Sequence, residues 1–196
     1  TKFTDPTTHD GERRLEQALA AGADLLGAVP NLHPNPVASL ERVLDLARVA
    51  GVEVDLHLDE TVDPSGFLLE QLAEAVLARG LEGRVTASHC CALASVDAKT
   101  AASTVAKVAA AGITVIALPA LNLYLEDRGD ATPRLRGLTL VRELVEAGVP
   151  VRFGSDNVGD NCFHVKHLHR NCHRRKRLHR LRKPGRHGQS FANGEH

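Results

Sequence analysis

GVEVDLHLDE, residues 51–60, alternates with period two from Val52 to Leu58, and that alternation decides the fold. Side chains of an extended strand point to opposite faces in turn. Val52, Val54, Leu56 and Leu58 therefore share one face, and Glu53, Asp55, His57 and Asp59 the other. The apolar face belongs against helices. The titratable face then points into a barrel interior, where ionisable groups are expensive unless paired, hydrogen-bonded or bound to metal. Glu60 stands three residues past His57, where strand gives way to loop and a carboxylate can curl over the barrel mouth.

The same rhythm runs on both sides of this stretch. Apolar runs at 24–29, 84–89, 113–118 and 149–155 read as further strands. Segments 12–21, 36–49, 65–79, 95–111 and 138–147 carry helical spacing, and Gly22, Gly51, Gly80, Gly112 and Gly148 stand where those helices should stop. His57 and His89 lie 32 residues apart, about the length of one βα unit. Five strands alternating with helices predict a parallel α/β sheet, either doubly wound or part of a (β/α)8 barrel. No GxGxxG follows the first strand and no GxxxxGK[ST] occurs, so a nucleotide-binding doubly wound fold has no motif behind it. A full barrel takes about 250 residues. Five such units over residues 1–162 would supply only part of a TIM-type barrel.

Composition divides the chain near Cys162. Residues 1–162 hold 14 Lys and Arg against 23 Asp and Glu, whereas 163–196 hold 10 against one, with seven of the eleven histidines. Hydrophobic residues make up 43% and aromatics only 3%, enough for a core but an aliphatic one. Four cysteines in 196 residues are too few for a disulfide-framed secreted scaffold. No apolar run reaches the ~18 residues of a membrane span, and no signal-peptide pattern opens the sequence. A cytoplasmic setting is the expectation. The chain opens on Thr1 and holds no methionine, so its own start is expected to lie elsewhere.

Chemistry concentrates at strand ends. VTASH (85–89) finishes on His89, and VRFGSD (151–156) carries Asp156 just past its apolar residues. Three strands of one parallel sheet thus end in His57, His89 and Asp156, at the edge where parallel α/β folds place their sites. Imidazole nitrogen and carboxylate oxygen are the ligands of a hydrolytic Zn²⁺ or Fe²⁺ centre with an open position for water. Taken singly each residue has a plainer reading: a hydrogen-bonded strand-end histidine, a turn-starting aspartate, a solvated loop acid. Their coincidence is what points to a metal.

At these residues the sequence resembles the cytosine deaminase branch of the metal-dependent amidohydrolase superfamily. GADLLGAVP (22–30), VDLHLDE (54–60), RVTASH (84–89) and PVRFGSDNV (150–158) carry the resemblance, with AAGITVIALPALNLYL (110–125) and RLRGLTLVRELVEAG (134–148) adding to it. It implies a distorted barrel of which this chain holds roughly strands four to eight, and one divalent metal, Fe²⁺ or Zn²⁺. By the same resemblance His57 is a metal ligand, and Glu60 shuttles protons to and from the substrate. His89 orients the hydrolytic water, and Asp156 is both metal ligand and acceptor of the water's proton. Asn157 stands where cytosine-specific members carry a second aspartate that touches the ring. That departure leaves related amino-pyrimidines and amino-triazines open beside cytosine.

The superfamily's first-strand HxH pair, which supplies two more metal ligands, has no counterpart ahead of His57, where only His9 and His33 occur. The expected activity is therefore hydrolytic deamination of a cyclic amidine by lineage, with this chain inactive by itself. Competing readings are an amidohydrolase acting on another C–N bond, in an amino-triazine or cyclic amide, and a non-enzymatic remnant whose basic tail binds nucleic acid. Residues 163–196 match nothing in the branch; they read as disordered or frame-shifted, with Phe163, Val165, Leu168, Leu178, Leu181 and Phe191 too few for a core of their own. A small nitrogen heterocycle is the expected partner, with neither membrane nor nucleic acid, and family members often form homo-oligomers.

Overall fold

A computed structural model describes residues 4–126 and 135–156. The element order is α1 (His9–Ala20), β1 (Leu25–Ala28), α2 (Pro36–Ala50), β2 (Glu53–Leu58), α3 (Leu69–Arg79), β3 (Val85–His89), α4 (Ala98–Ala110), β4 (Thr114–Ala117), α5 (Pro119–Leu125), α6 (Val141–Glu146) and β5 (Val151–Phe153). The five strands form one parallel sheet in the order β1-β2-β3-β4-β5.

That order chooses between the two architectures left open by the sequence. A doubly wound sheet reverses its strand order at a switch point and so covers both faces with helices. Here every strand neighbours its successor, and right-handed crossovers then keep the helices on one side. The burial pattern agrees. Ala28, Leu56, Ala87, Val115 and Val151 form one row across the sheet, and all but the partly buried Val151 are sealed in the core. Leu40, Val43 and Leu44 of α2, Leu72 and Val76 of α3, and Val108 of α4 lie over that face. Fully burying each such Leu or Val is worth about 1.5–3 kcal/mol. The opposite face carries the row His57, Ser88, Ile116 and Arg152. It is the inward face of a partial TIM-type barrel.

Local chemistry sets the helix limits. Asn35 caps α2 by accepting from the Ala38 amide, Pro36 opens it, and Gly51 closes it in the left-handed region at φ 70°. Asp97 accepts from the Lys99 and Thr100 amides, so α4 begins at Ala98 rather than at 95. Helix α3 begins at Leu69, not 65, because Pro64–Gly66 forms a separate 3-10 turn capped by Asp63. The last predicted helix and strand shorten to Val141–Glu146 and Val151–Phe153. One helix went unpredicted altogether, α5. Its leucines at 121, 123 and 125 recur with period two, a strand-like pattern, although Pro119 in its first turn is a helix-start signal. The basic stretch 163–196 lies outside the described residues.

Candidate active site

The C-terminal ends of β2, β3 and β5 converge. His57 lies on the inward face, half buried. Strand alternation alone would put His89 with Val85 and Ala87 on the helix face. Instead its backbone takes φ 69°, and the imidazole, 1% exposed, comes to lie beside that of His57. The two ring centroids are 4.9 Å apart at 50°, with His89 Nε2 2.9 Å from His57 Nδ1. The same Nε2 is 3.5 Å from Glu60 Oε2 and 3.6 Å from Asp156 Oδ2. Four of the five residues singled out from the sequence meet within one small volume. The fifth, Asn157, lies outside the described residues.

Asp59 corrects the sequence reading. Alternation put it on the inward face with Asp55 and His57. The structure turns it under the sheet at φ 54°, fully buried. Its carboxylate accepts from the Leu68 and Leu69 amides, both at 3.0 Å, and so caps α3 from ten residues upstream. Its own amide donates to Asn31 Oδ1 at 2.9 Å, and its carbonyl accepts from the Cys91 amide at 2.9 Å. One residue thus ties together the loops after β1, β2 and β3 and fixes the base from which Glu60 projects. Burial pushes the Asp59 carboxyl up to about 6, against the pull of the hydrogen bonds from Leu68, Leu69 and Asn31.

Among the described residues, the non-glycine positions with positive φ are Asp59, His89, Cys90 and Asp156. All stand just past or at the ends of the three strands that carry the site. Such conformations cost of order 1–3 kcal/mol each and cluster where function over-determines the backbone. Cys90 and Cys91 are free and buried, and burial raises both thiols above their ordinary range. That leaves them inert rather than nucleophilic.

Sequence reading also missed Asn122. It is 1% exposed, sits on α5, and brings its amide Nδ2 to 3.2 Å from His89 Nδ1. An apolar hollow of about 270 Å³ opens beside this pair, lined in part by Leu118, Leu138, Val141 and Phe153.

The donor set suits a divalent cation. Ligand atoms of His57, Glu60 and His89 lie within 4.8 Å of one another, and Asp156 Oδ2 approaches the His89 end of this group at 3.6 Å. Nitrogen and oxygen donors of this kind suit Zn²⁺ or Fe²⁺. No helix among the described residues is long and apolar enough to cross a membrane.

Known proteins resemble the chain in sequence and in fold. The amidohydrolase family model matches residues 1–187, a span that runs on past the compositional break at Cys162. A pterin deaminase of Rhizobium rhizogenes (strain K84 / ATCC BAA-868) is 47% identical over 147 residues, 74% of this chain and 34% of that protein. The crystal structure of 5-methylcytosine deaminase from Klebsiella pneumoniae superimposes with a TM-score of 0.76 at 35% identity, covering 82% of this chain and 40% of that one. N-isopropylammelide isopropylaminohydrolase from Burkholderia multivorans ATCC 17616 follows with a TM-score of 0.60 at 28% identity, covering 78% and 36%. The chain spans about a third of the length of the pterin deaminase it matches. The likeness read from its motifs is borne out: the chain belongs to the amidohydrolase family of metal-dependent hydrolases, on its cytosine deaminase-like branch.

Proposed function

We propose that this site hydrolytically deaminates an amino-substituted nitrogen heterocycle, and that the convergence of His57, Glu60, His89 and Asp156 carries the reading. His57 and Asp156 would hold the metal, Zn²⁺ or Fe²⁺, with the five strands being the fourth to eighth of the barrel. When bound, a divalent ion makes hydroxide available near neutral pH by lowering the pKa of water to about 7.

Proton bookkeeping assigns the rest. Water loses two protons as its oxygen becomes the product carbonyl. One goes to the ring nitrogen beside the attacked carbon, and the other to the amino group, which leaves as ammonia. Glu60, one-third exposed at the mouth of the sheet, can take a proton from water and hand it to the ring, which is general acid–base work. Asp156 accepts the second proton. His89 holds the oxygen in line.

The ring is proposed to be pterin-like, an amino group on a carbon between two ring nitrogens, because the 47%-identical relative is a pterin deaminase. Cytosine and 5-methylcytosine follow from the Klebsiella likeness. Asn157, proposed to face the ring, can donate as well as accept where an aspartate only accepts, which favours a ring other than cytosine. A second reading, release of an alkylamine from an amino-triazine, draws on the isopropylaminohydrolase likeness. A cytoplasmic setting and an assembly of several copies are proposed with the same family in view.

Metal uptake by the 196-residue chain tests the ligand assignment. His57→Gln and Asp156→Asn should each weaken Zn²⁺ binding at least tenfold in equilibrium dialysis, since second-rank partners alone typically cost 10–100-fold. Glu60→Gln should bind as the parent does. Uptake should also fall between pH 8 and pH 5, because an imidazole ligand must be neutral and its ordinary pKa is about 6.5. Loss of binding in Glu60→Gln with retention in Asp156→Asn would reverse the two carboxylates' roles. For the substrate, the chain would be mixed with the unmatched portion of the Rhizobium pterin deaminase and offered pterin, cytosine, 5-methylcytosine and N-isopropylammelide. Isopropylamine without ammonia would select the second reading.

A further inference from the structure

We propose that Asn122 is a positioning residue that holds neutral His89 in its Nε2–H tautomer, so that the imidazole faces the reaction as a hydrogen-bond donor. The proposal deepens the deaminase reading and rests on it for what the tautomer is used for.

The two ends of the His89 ring meet different chemistry. At Nδ1 the nearby group is the Asn122 amide nitrogen, 3.2 Å away, and an amide nitrogen only donates. Nδ1 must then accept, and the single ring proton of the neutral imidazole goes to Nε2. At Nε2 the neighbours are Glu60 Oε2 at 3.5 Å and Asp156 Oδ2 at 3.6 Å, with His57 Nδ1 at 2.9 Å. Ionised carboxylates only accept, so a proton on Nε2 suits this end as well. Turning the Asn122 amide over would reverse everything. Its oxygen would draw the proton to Nδ1, leaving the Nε2 lone pair to accept from His57 Nδ1 with two carboxylates beside it. Both side chains are about 1% exposed beside an apolar hollow, where water cannot substitute for a mismatched partner and polar contacts count for more.

The tautomer decides what His89 does. With Nε2–H it donates to the oxygen that attacks the ring carbon and steadies the charge that builds there, leaving proton collection to Glu60. With Nδ1–H it would accept from the attacking water and compete with Glu60. The partner that fixes one ring nitrogen sets the function of the other.

Two-bond ¹H–¹⁵N spectra of the metal-free, ¹⁵N-histidine-labelled 196-residue chain at pH 8 read the tautomer directly, with His89→Gln assigning the signal. The expected result is a protonated Nε2 and an unprotonated Nδ1. Asn122→Asp replaces a donor by an acceptor and should swap the two. Asn122→Leu keeps the apolar packing without a donor and should give a mixture. A protonated Nδ1 in the parent overturns the proposal, as does an unchanged Nε2–H tautomer in both variants. If Asn122→Asp fails to fold, the parent spectrum and Asn122→Leu still decide. The spectra need no turnover, so failure of the deaminase reading would leave them standing and be seen separately in the substrate panel.

Discussion

Ammonia release by the Zn²⁺- or Fe²⁺-loaded 196-residue chain alone is expected to stay at the uncatalysed background for pterin, cytosine and amino-triazines. A hydrolytic zinc site uses three protein ligands. Of the four groups that converge here, Glu60 and His89 are proposed to work on protons and the attacking oxygen, which leaves His57 and Asp156 for the metal. Combination with the unmatched portion of the pterin deaminase relative should bring activity up, and enzymatic acceleration is typically 10⁶-fold or more, so the two outcomes are far apart. Glu60→Gln should then remove roughly 10²–10⁴ of the restored rate, the usual worth of a positioned acid–base group. Turnover by the chain alone, abolished by Glu60→Gln, would show the four groups to be sufficient and the ligand count to be wrong.

Asp59→Ala is expected to destabilise the chain by roughly 2–5 kcal/mol. It strands the buried Leu68 and Leu69 amides, and a buried polar group left without its partner costs about 1–3 kcal/mol. Relief of the charge's own burial offsets part of that loss. Against a total stability of about 5–15 kcal/mol for an ordinary domain the effect is large. Asp59→Asn keeps one accepting oxygen and should cost about half as much. Urea midpoints at pH 7 with an unchanged m-value are the measurement. A loss below about 1 kcal/mol would show that the three loops hold together without this carboxylate.

The contrast between His57 and Asp59 shows what sequence can and cannot disclose here. Both have the parity of the polar face in 53–59. For His57 that parity holds, because strand geometry persists to Leu58. For Asp59 it fails, because one residue at φ 54° exchanges the faces, and no periodicity reports a single dihedral angle. His89 is the converse case, found from its place at a strand end while its parity pointed the other way. The parallel sheet was legible because five apolar runs recur at βα spacing. Barrel against doubly wound was not legible from periodicity, since strand order depends on the direction of each crossover and not on the composition of any segment; the resemblance of the motifs to the amidohydrolases is what pointed to the barrel. Asn122 escaped notice for a third reason. Its partner lies 33 residues away in the chain, on a helix whose leucines mimic a strand.

The Asp59 knot bears on how this scaffold can be redesigned. Barrel enzymes are prized because loops at the strand ends can be exchanged one at a time while the framework stays put. Here the loops after β1, β2 and β3 share one buried carboxylate and its backbone, through Asn31, Leu68, Leu69 and Cys91. A graft that replaces the first loop without Asn31, or the third without a backbone donor at Cys91, unsettles the loop that carries Glu60. For loop exchange, these three segments form a single cassette.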